Sequence, residues 1–106
     1  MESKQAVTLL SALAHENRLA LFRLLVRAGG AGMAAGALAT ELCVPPSTLS
    51  HHLTQLEQAG LIVSRRESRN IYYSMVVPQV QALLSFLVND CCDGQPDLCG
   101  IERKPC

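Results

Sequence analysis

The chain of 106 residues has no tryptophan and only two phenylalanines and two tyrosines. Its core is therefore expected to consist mostly of Leu, Val and Ala. Net charge is also absent, with nine Lys and Arg against nine Asp and Glu, so total charge argues neither for nucleic acid nor against it. No apolar run approaches the roughly 18 residues of a membrane span. The polar opening, Met1-Glu-Ser-Lys, lacks the basic stretch and apolar run of a secretion signal. A cytoplasmic protein with no membrane partner is the expectation. Thiols stay reduced there, so the five cysteines read as ligands or redox groups rather than disulfides. There is no phosphate loop, no Ser/His/Asp arrangement and no pair of carboxylates in a pocket-forming context, so an enzyme is not expected.

What the chain does contain is 49% hydrophobic residues, enough for a packed fold. Its length suits one domain, small enough that oligomerisation would help stabilise it. The charge is unevenly placed. Residues 1–89 carry seven Lys and Arg against five acids, whereas residues 90–106 carry two against four. Three of the cations, Arg65, Arg66 and Arg69, fall close together, as a phosphate contact requires.

Apolar periodicity predicts a first helix over 4–13, with Val7, Leu10, Leu13 and Ala14 on one stripe. A second over 18–27 carries Leu19, Phe22, Leu25 and Val26 and is stopped by Gly29-Gly30-Ala31-Gly32. A third covers 35–42. After the turn Val44-Pro45-Pro46, a fourth runs over 47–59 and ends at Gly60. The period then changes. Two β-rich runs, 61–66 and 71–76, flank a polar, basic tip and read as a hairpin. A last helix from Pro78 carries Val80, Leu83, Leu84, Leu87 and Val88. It is apolar on more than one side, as expected of a helix that packs on a partner as well as on its own core.

Two short helices joined by a tight turn, the second with small polar residues at its start, form a helix-turn-helix pattern. Such a helix enters the major groove by its N-terminus, so residues there must be small or hydrogen-bonding. Ser47, Thr48, Ser50, His51, His52 and Gln55 are the candidate contacts to phosphates and base edges. Arg65, Arg66 and Arg69 of the hairpin are placed to meet the flanking backbone. The fold class is thus mainly α with a β-hairpin wing: a winged helix-turn-helix over residues 1–90, followed by a cysteine-containing tail over 91–106.

These stretches resemble the arsenic-repressor (ArsR/SmtB) family of winged-helix regulators. The resemblance rests on Leu13-Ala-His-Glu-Asn-Arg-Leu-Ala-Leu-Phe-Arg-Leu-Leu25, on Leu38-Ala-Thr-Glu-Leu42, on Pro46-Ser-Thr-Leu-Ser-His-His-Leu-Thr-Gln-Leu-Glu-Gln-Ala-Gly-Leu61, and on the hairpin Arg65-Arg-Glu-Ser-Arg-Asn-Ile-Tyr-Tyr73. It implies a homodimer built on the first and last helices, binding to double-stranded operator DNA, and release on metal binding. One departure is Pro45, which stands where the family usually has a capping Ser or Thr. The lost cap costs about 1 kcal/mol unless Ser47 replaces it.

Cys91 and Cys92 are adjacent, and Cys99 and Cys106 follow. Adjacent Cα atoms lie about 3.8 Å apart, below the usual disulfide range, but adjacent thiolates can share one soft ion. Asp93-Gly94 and Pro96 favour a turn that returns Cys99 to the pair. Cys91, Cys92 and Cys99 are the candidate ligands. Three thiolates suit a three-coordinate soft centre, As(III) or Sb(III), acting as inducer with no organic cofactor. Similar cysteine tails occur in one arsenic-sensing branch of the family. With Cys106 as a fourth ligand the site would suit zinc, cadmium or lead, and a thiol-redox response or a metal-buffering role are the remaining alternatives. Cys43 is expected to be a small buried residue, since Pro45 removes the second thiol of another arsenic site in the family. His15 is expected to be structural or capping.

Overall fold

The computed structural model describes residues 1–89. In chain order the elements are α1 (Ser3–Leu13), α2 (Glu16–Ala28), a 3-10 turn (Gly29–Ala31), β1 (Met33–Ala34), α3 (Ala35–Leu42), α4 (Pro46–Ala59), β2 (Ile62–Glu67), β3 (Asn70–Met75) and α5 (Val77–Asn89). The architecture is the expected one of helices with a hairpin wing, a winged helix-turn-helix. Residues 91–106, the anticipated tail, lie outside the described residues.

The core is leucine-built, as the shortage of aromatics requires. Leu9 of α1, Leu21 and Leu25 of α2, Leu38 of α3, Leu56 of α4 and Leu61 just after it are fully buried. Removing each such side chain from water contributes about 1.5–3 kcal/mol.

The buried stripes differ from those the periodicity suggested. In α1 the buried residues are Ala6, Leu9 and Ala12, while Val7 is 60% and Leu10 41% exposed. In α2 Leu21 replaces Leu19 in the core, and Leu19 and Val26 lie outside. Leu84 and Leu87 of α5 are likewise exposed, whereas Leu83 is buried. Each of these helices has apolar residues on two sides. Spacing cannot decide which side meets the protein's own core; the packing of neighbouring helices does.

Helix ends follow local chemistry. His15 caps α2, its Nδ1 accepting from the Asn17 amide at 3.1 Å, in keeping with the capping role expected. Pro45 leads into α4 with no side-chain cap, and Ser47 does not replace one. At the other end of α4 the Leu61 amide donates to the Leu56 carbonyl at 3.1 Å and the Gly60 amide to Glu57 at 3.0 Å, a Schellman closure that turns the chain straight into β2.

The wing is larger than a hairpin. β3 pairs with β2 on one edge, in the register Arg65↔Tyr72, and with the two residues of β1 on the other, Met33↔Tyr73 and Ala34↔Tyr72. Neither β1 nor its pairing was legible in the sequence, because two residues carry no period. Gly32 makes the pairing possible. Its φ is +74°, and a Cβ there would lie 2.2 Å from the Tyr73 carbonyl oxygen.

Candidate nucleic-acid interface

Ser47, Ser50, His51 and Thr54 are exposed along one side of α4, at the i, i+3, i+4, i+7 spacing of a single helical face. Thr48 beside them is half-buried. Thr54 was not among the sequence candidates, although its place seven residues after Ser47 was the available signal. Its hydroxyl donates to the Ser50 carbonyl at 2.9 Å. The start of α4 is open, with no side-chain cap and proline at the first position, so its amides face outward at the positive end of the helix dipole.

Two expected contacts on this helix are corrected. His52 is only 5% exposed and its Nδ1 accepts from Arg18 Nε at 3.3 Å, so its ring points into the protein, opposite the outer face. Gln55 is half-buried and lines a groove of about 390 Å³ between α1 and α4, together with Thr8, Ser11, Arg18 and Gln58. At 100° per residue position 52 turns toward the neighbouring helices, while position 55, one turn after His51, lies at the edge of the outer face. Polarity alone had suggested the outer face for both.

The three wing arginines also separate. Arg65 is engaged within the protein. Its Nη2 donates to the Ala31 carbonyl at 2.8 Å, its Nε pairs with Glu67 at 3.1 Å, and its guanidinium lies 5.2 Å from the Tyr72 ring centroid. It therefore fastens the wing to the turn before β1. Arg66, pointing to the other side of the strand, and Arg69, in the hairpin turn, are exposed and make no ion pair among the described residues. The wing is also tied to α4, since Ser64 Oγ donates to Glu57 at 2.9 Å. Helix face and wing are thus held as one surface.

Cys43 is a further correction. It is exposed, and it ends α3 in the left-handed conformation, φ 55° and ψ 42°, with its amide donating to Ala39 and Thr40. A residue turning the chain between two helices is drawn to the surface whatever its side chain. Among the described residues, no three His, Cys, Asp or Glu side chains come together to hold a metal ion. Cys91, Cys92 and Cys99 lie outside the described residues.

Away from this surface, Val7 and Leu10 of α1 and Val77, Leu84 and Leu87 of α5 leave apolar side chains exposed. No helix among the described residues is long and apolar enough to cross a membrane.

Comparison with known proteins agrees with this geometry. A helix-turn-helix domain family matches residues 13–65, from the end of α1 into β2. The transcriptional activator HlyU of Vibrio cholerae is 33% identical over 85 residues, covering 80% of this chain and 76% of that protein. The HTH-type transcriptional regulator YgaV of Escherichia coli is 34% identical over 90 residues, covering 85% and 89%. The transcriptional repressor SdpR of Bacillus subtilis is 33% identical over 69 residues, covering 65% and 77%. Among solved structures, reduced HlyU from V. cholerae superposes with a TM-score of 0.68 at 32% identity, covering 85% of this chain and 92% of that one. An ArsR-like transcriptional regulator from Rhodococcus sp. RHA1 gives a TM-score of 0.73 at 25% identity, covering 92% and 89%. A homodimeric winged helix-turn-helix DNA-binding domain from Mycobacterium bovis, described as a possible ArsR-family regulator, gives 0.67 at 27% identity, covering 96% and 89%.

Proposed function

This chain belongs to the ArsR/SmtB family of winged-helix transcriptional regulators, and from that premise we propose that it is a cytoplasmic, homodimeric repressor that binds operator DNA and releases it on taking up trivalent arsenic or antimony. The observation that carries the DNA reading is the exposed Ser47, Ser50, His51, Thr54 face of α4 beside the exposed Arg66 and Arg69 of the wing. Hydroxyls and an imidazole reach base edges and phosphates; the arginines hold the flanking backbone. The apolar side chains of α1 and α5 left in water are the faces that a second copy would cover. A two-fold dimer then sets its two α4 helices about one DNA turn apart, roughly 34–36 Å.

For the inducer the support is the chemistry of the donor set. Cys91, Cys92 and Cys99 supply three thiolates and no hard ligand, a set that suits a trivalent soft centre. Cys91 follows the end of α5 at Asn89 by two positions, so drawing the thiolates together pulls directly on a dimer helix. A small rotation there moves the two reading faces off their spacing. Coupling of about 1–3 kcal/mol between such sites corresponds to roughly 5–150-fold weaker operator binding.

The test is fluorescence anisotropy of the chain's own promoter DNA with reduced protein, titrated with arsenite, cadmium and zinc. Arsenite should release the DNA, and Cys92→Ser should abolish that release without weakening binding. Affinity unchanged by saturating arsenite sinks the inducer reading and leaves the repressor intact. A second reading, release by thiol oxidation, draws support from a relative whose structure is described as reduced. Release by peroxide, reversed by reductant and indifferent to arsenite, selects it.

A further inference from the structure

His52 is the buried polar side chain of the described core, and it stands where two helices meet. Its Nδ1 accepts from Arg18 Nε at 3.3 Å. Its ring centroid lies 4.6 Å from that of His15 and 5.8 Å from that of His51. His15 and Arg18 belong to the start of α2, so this cluster joins the first turn of α2 to the middle of α4.

A ring that accepts at Nδ1 must be neutral, with its proton on Nε2. Every nearby influence keeps it so. Burial opposes the charged form most, followed by His15 and Arg18 from α2 and His51 from α4 itself, and together they hold His52 below the ordinary histidine value of 6.5. Among the described residues, no titratable group of α1, α3 or β2, which also pack on α4, acts on it. A proton arriving at Nδ1 would set donor against donor and cation against guanidinium. Arg18 has somewhere else to go, because it also lines the groove of about 390 Å³ shared with Thr8, Ser11, Gln55 and Gln58.

We propose that the Arg18–His52 contact is a proton-sensitive latch that holds α4 at the angle its outer face needs for DNA, which makes His52 a positioning residue for the operator binding proposed above. His51 is exposed on the outer face and is present in wild type and variant alike, so the variant His52→Asn isolates what position 52 contributes to the pH profile. Asparagine Oδ1 lies where the imidazole Nδ1 does, so it accepts from Arg18 but cannot titrate.

Operator affinity of wild type and His52→Asn is measured at constant ionic strength between about pH 7.5 and 5.5, the histidine range, with circular dichroism at each pH. The two should agree within about twofold at the upper end. At the lower end wild type should bind at least about fivefold more weakly than the variant, the low end of typical coupling between sites. Parallel profiles overturn the latch. So does a loss of wild-type helix signal over the same range, which would make the effect one of unfolding. If neither protein binds DNA at any pH, the operator reading fails, and NMR decides the latch separately. Backbone amides of α4 that shift with the His52 ring midpoint in wild type support it. Amides that stay still overturn it.

Discussion

Replacing Gly32 by alanine should cost far more than replacing either of two glycines beside it, and the difference measures what β1 contributes to the wing. Gly29 and Gly32 adopt nearly the same strained backbone, φ 68° with ψ −153° and φ 74° with ψ −169°. This region is close to glycine-only, and an alanine forced into it costs about 1–3 kcal/mol. At Gly29 nothing lies within 4 Å of a new Cβ, so that strain is the whole penalty. At Gly32 the Cβ would also meet the Tyr73 carbonyl, 2.2 Å from its oxygen and 2.9 Å from its carbon. Both are backbone atoms, so β1 must leave β3 to make room. Losing that pairing, with displacement of the Ala31 carbonyl that Arg65 holds at 2.8 Å, removes two or three hydrogen bonds at about 0.5–1.5 kcal/mol each. Gly32→Ala should therefore cost about 2–7 kcal/mol, a large share of the roughly 5–15 kcal/mol that holds a domain together. Gly30→Ala, with neither strain nor contact, should lie within about 0.5 kcal/mol of wild type. The assay is equilibrium urea unfolding at one fixed protein concentration, because stability and association would be linked in the proposed dimer. If Gly32→Ala and Gly29→Ala agree within about 0.5 kcal/mol, the steric argument fails and β1 does not brace the wing.

Leu84→Glu and Leu87→Glu place a carboxylate on the exposed face of α5. Each should give a folded monomer with operator binding reduced at least about tenfold, by sedimentation and anisotropy; a variant that remains dimeric excludes that face from the interface. Arg69→Gln should leave stability unchanged while lowering the slope of log affinity against log salt by about one contact. Arg65→Gln should instead lower the midpoint of unfolding by about 0.5–1.5 kcal/mol equivalent, because that side chain is bonded within the wing; identical behaviour of the two variants refutes the division of labour. Stability should fall as pH is lowered through 6.5, since a histidine whose folded value is depressed lets the unfolded chain bind the extra proton. His52→Asn should flatten that fall in thermal melts between about pH 7 and 5, and an unchanged slope assigns it to other groups.

The order of the elements, the helix-turn-helix and its wing are all legible in the chain before it folds. Those follow from local physics: helical spacing of leucines, a proline-started helix closed at Gly60, and a change to β-rich runs after it. The sequence also places the small polar residues at the start of α4 and the arginines on the hairpin. Which way each side chain faces is set by packing between segments distant in sequence. Val7, Leu10 and Leu19 are as apolar as Leu9 and Leu21, and only neighbouring helices select the latter pair for the core. His52 and Gln55 read as polar surface because composition carries no direction, yet Arg18 claims the first and the groove beside α1 the second. Arg65 sits beside Arg66 in the chain, but the period of two in a strand sends only one of them toward Ala31 and Glu67. Long-range packing is a sum over residues distant in sequence, so burial, partners and the β1 pairing exist only once the chain has closed on itself.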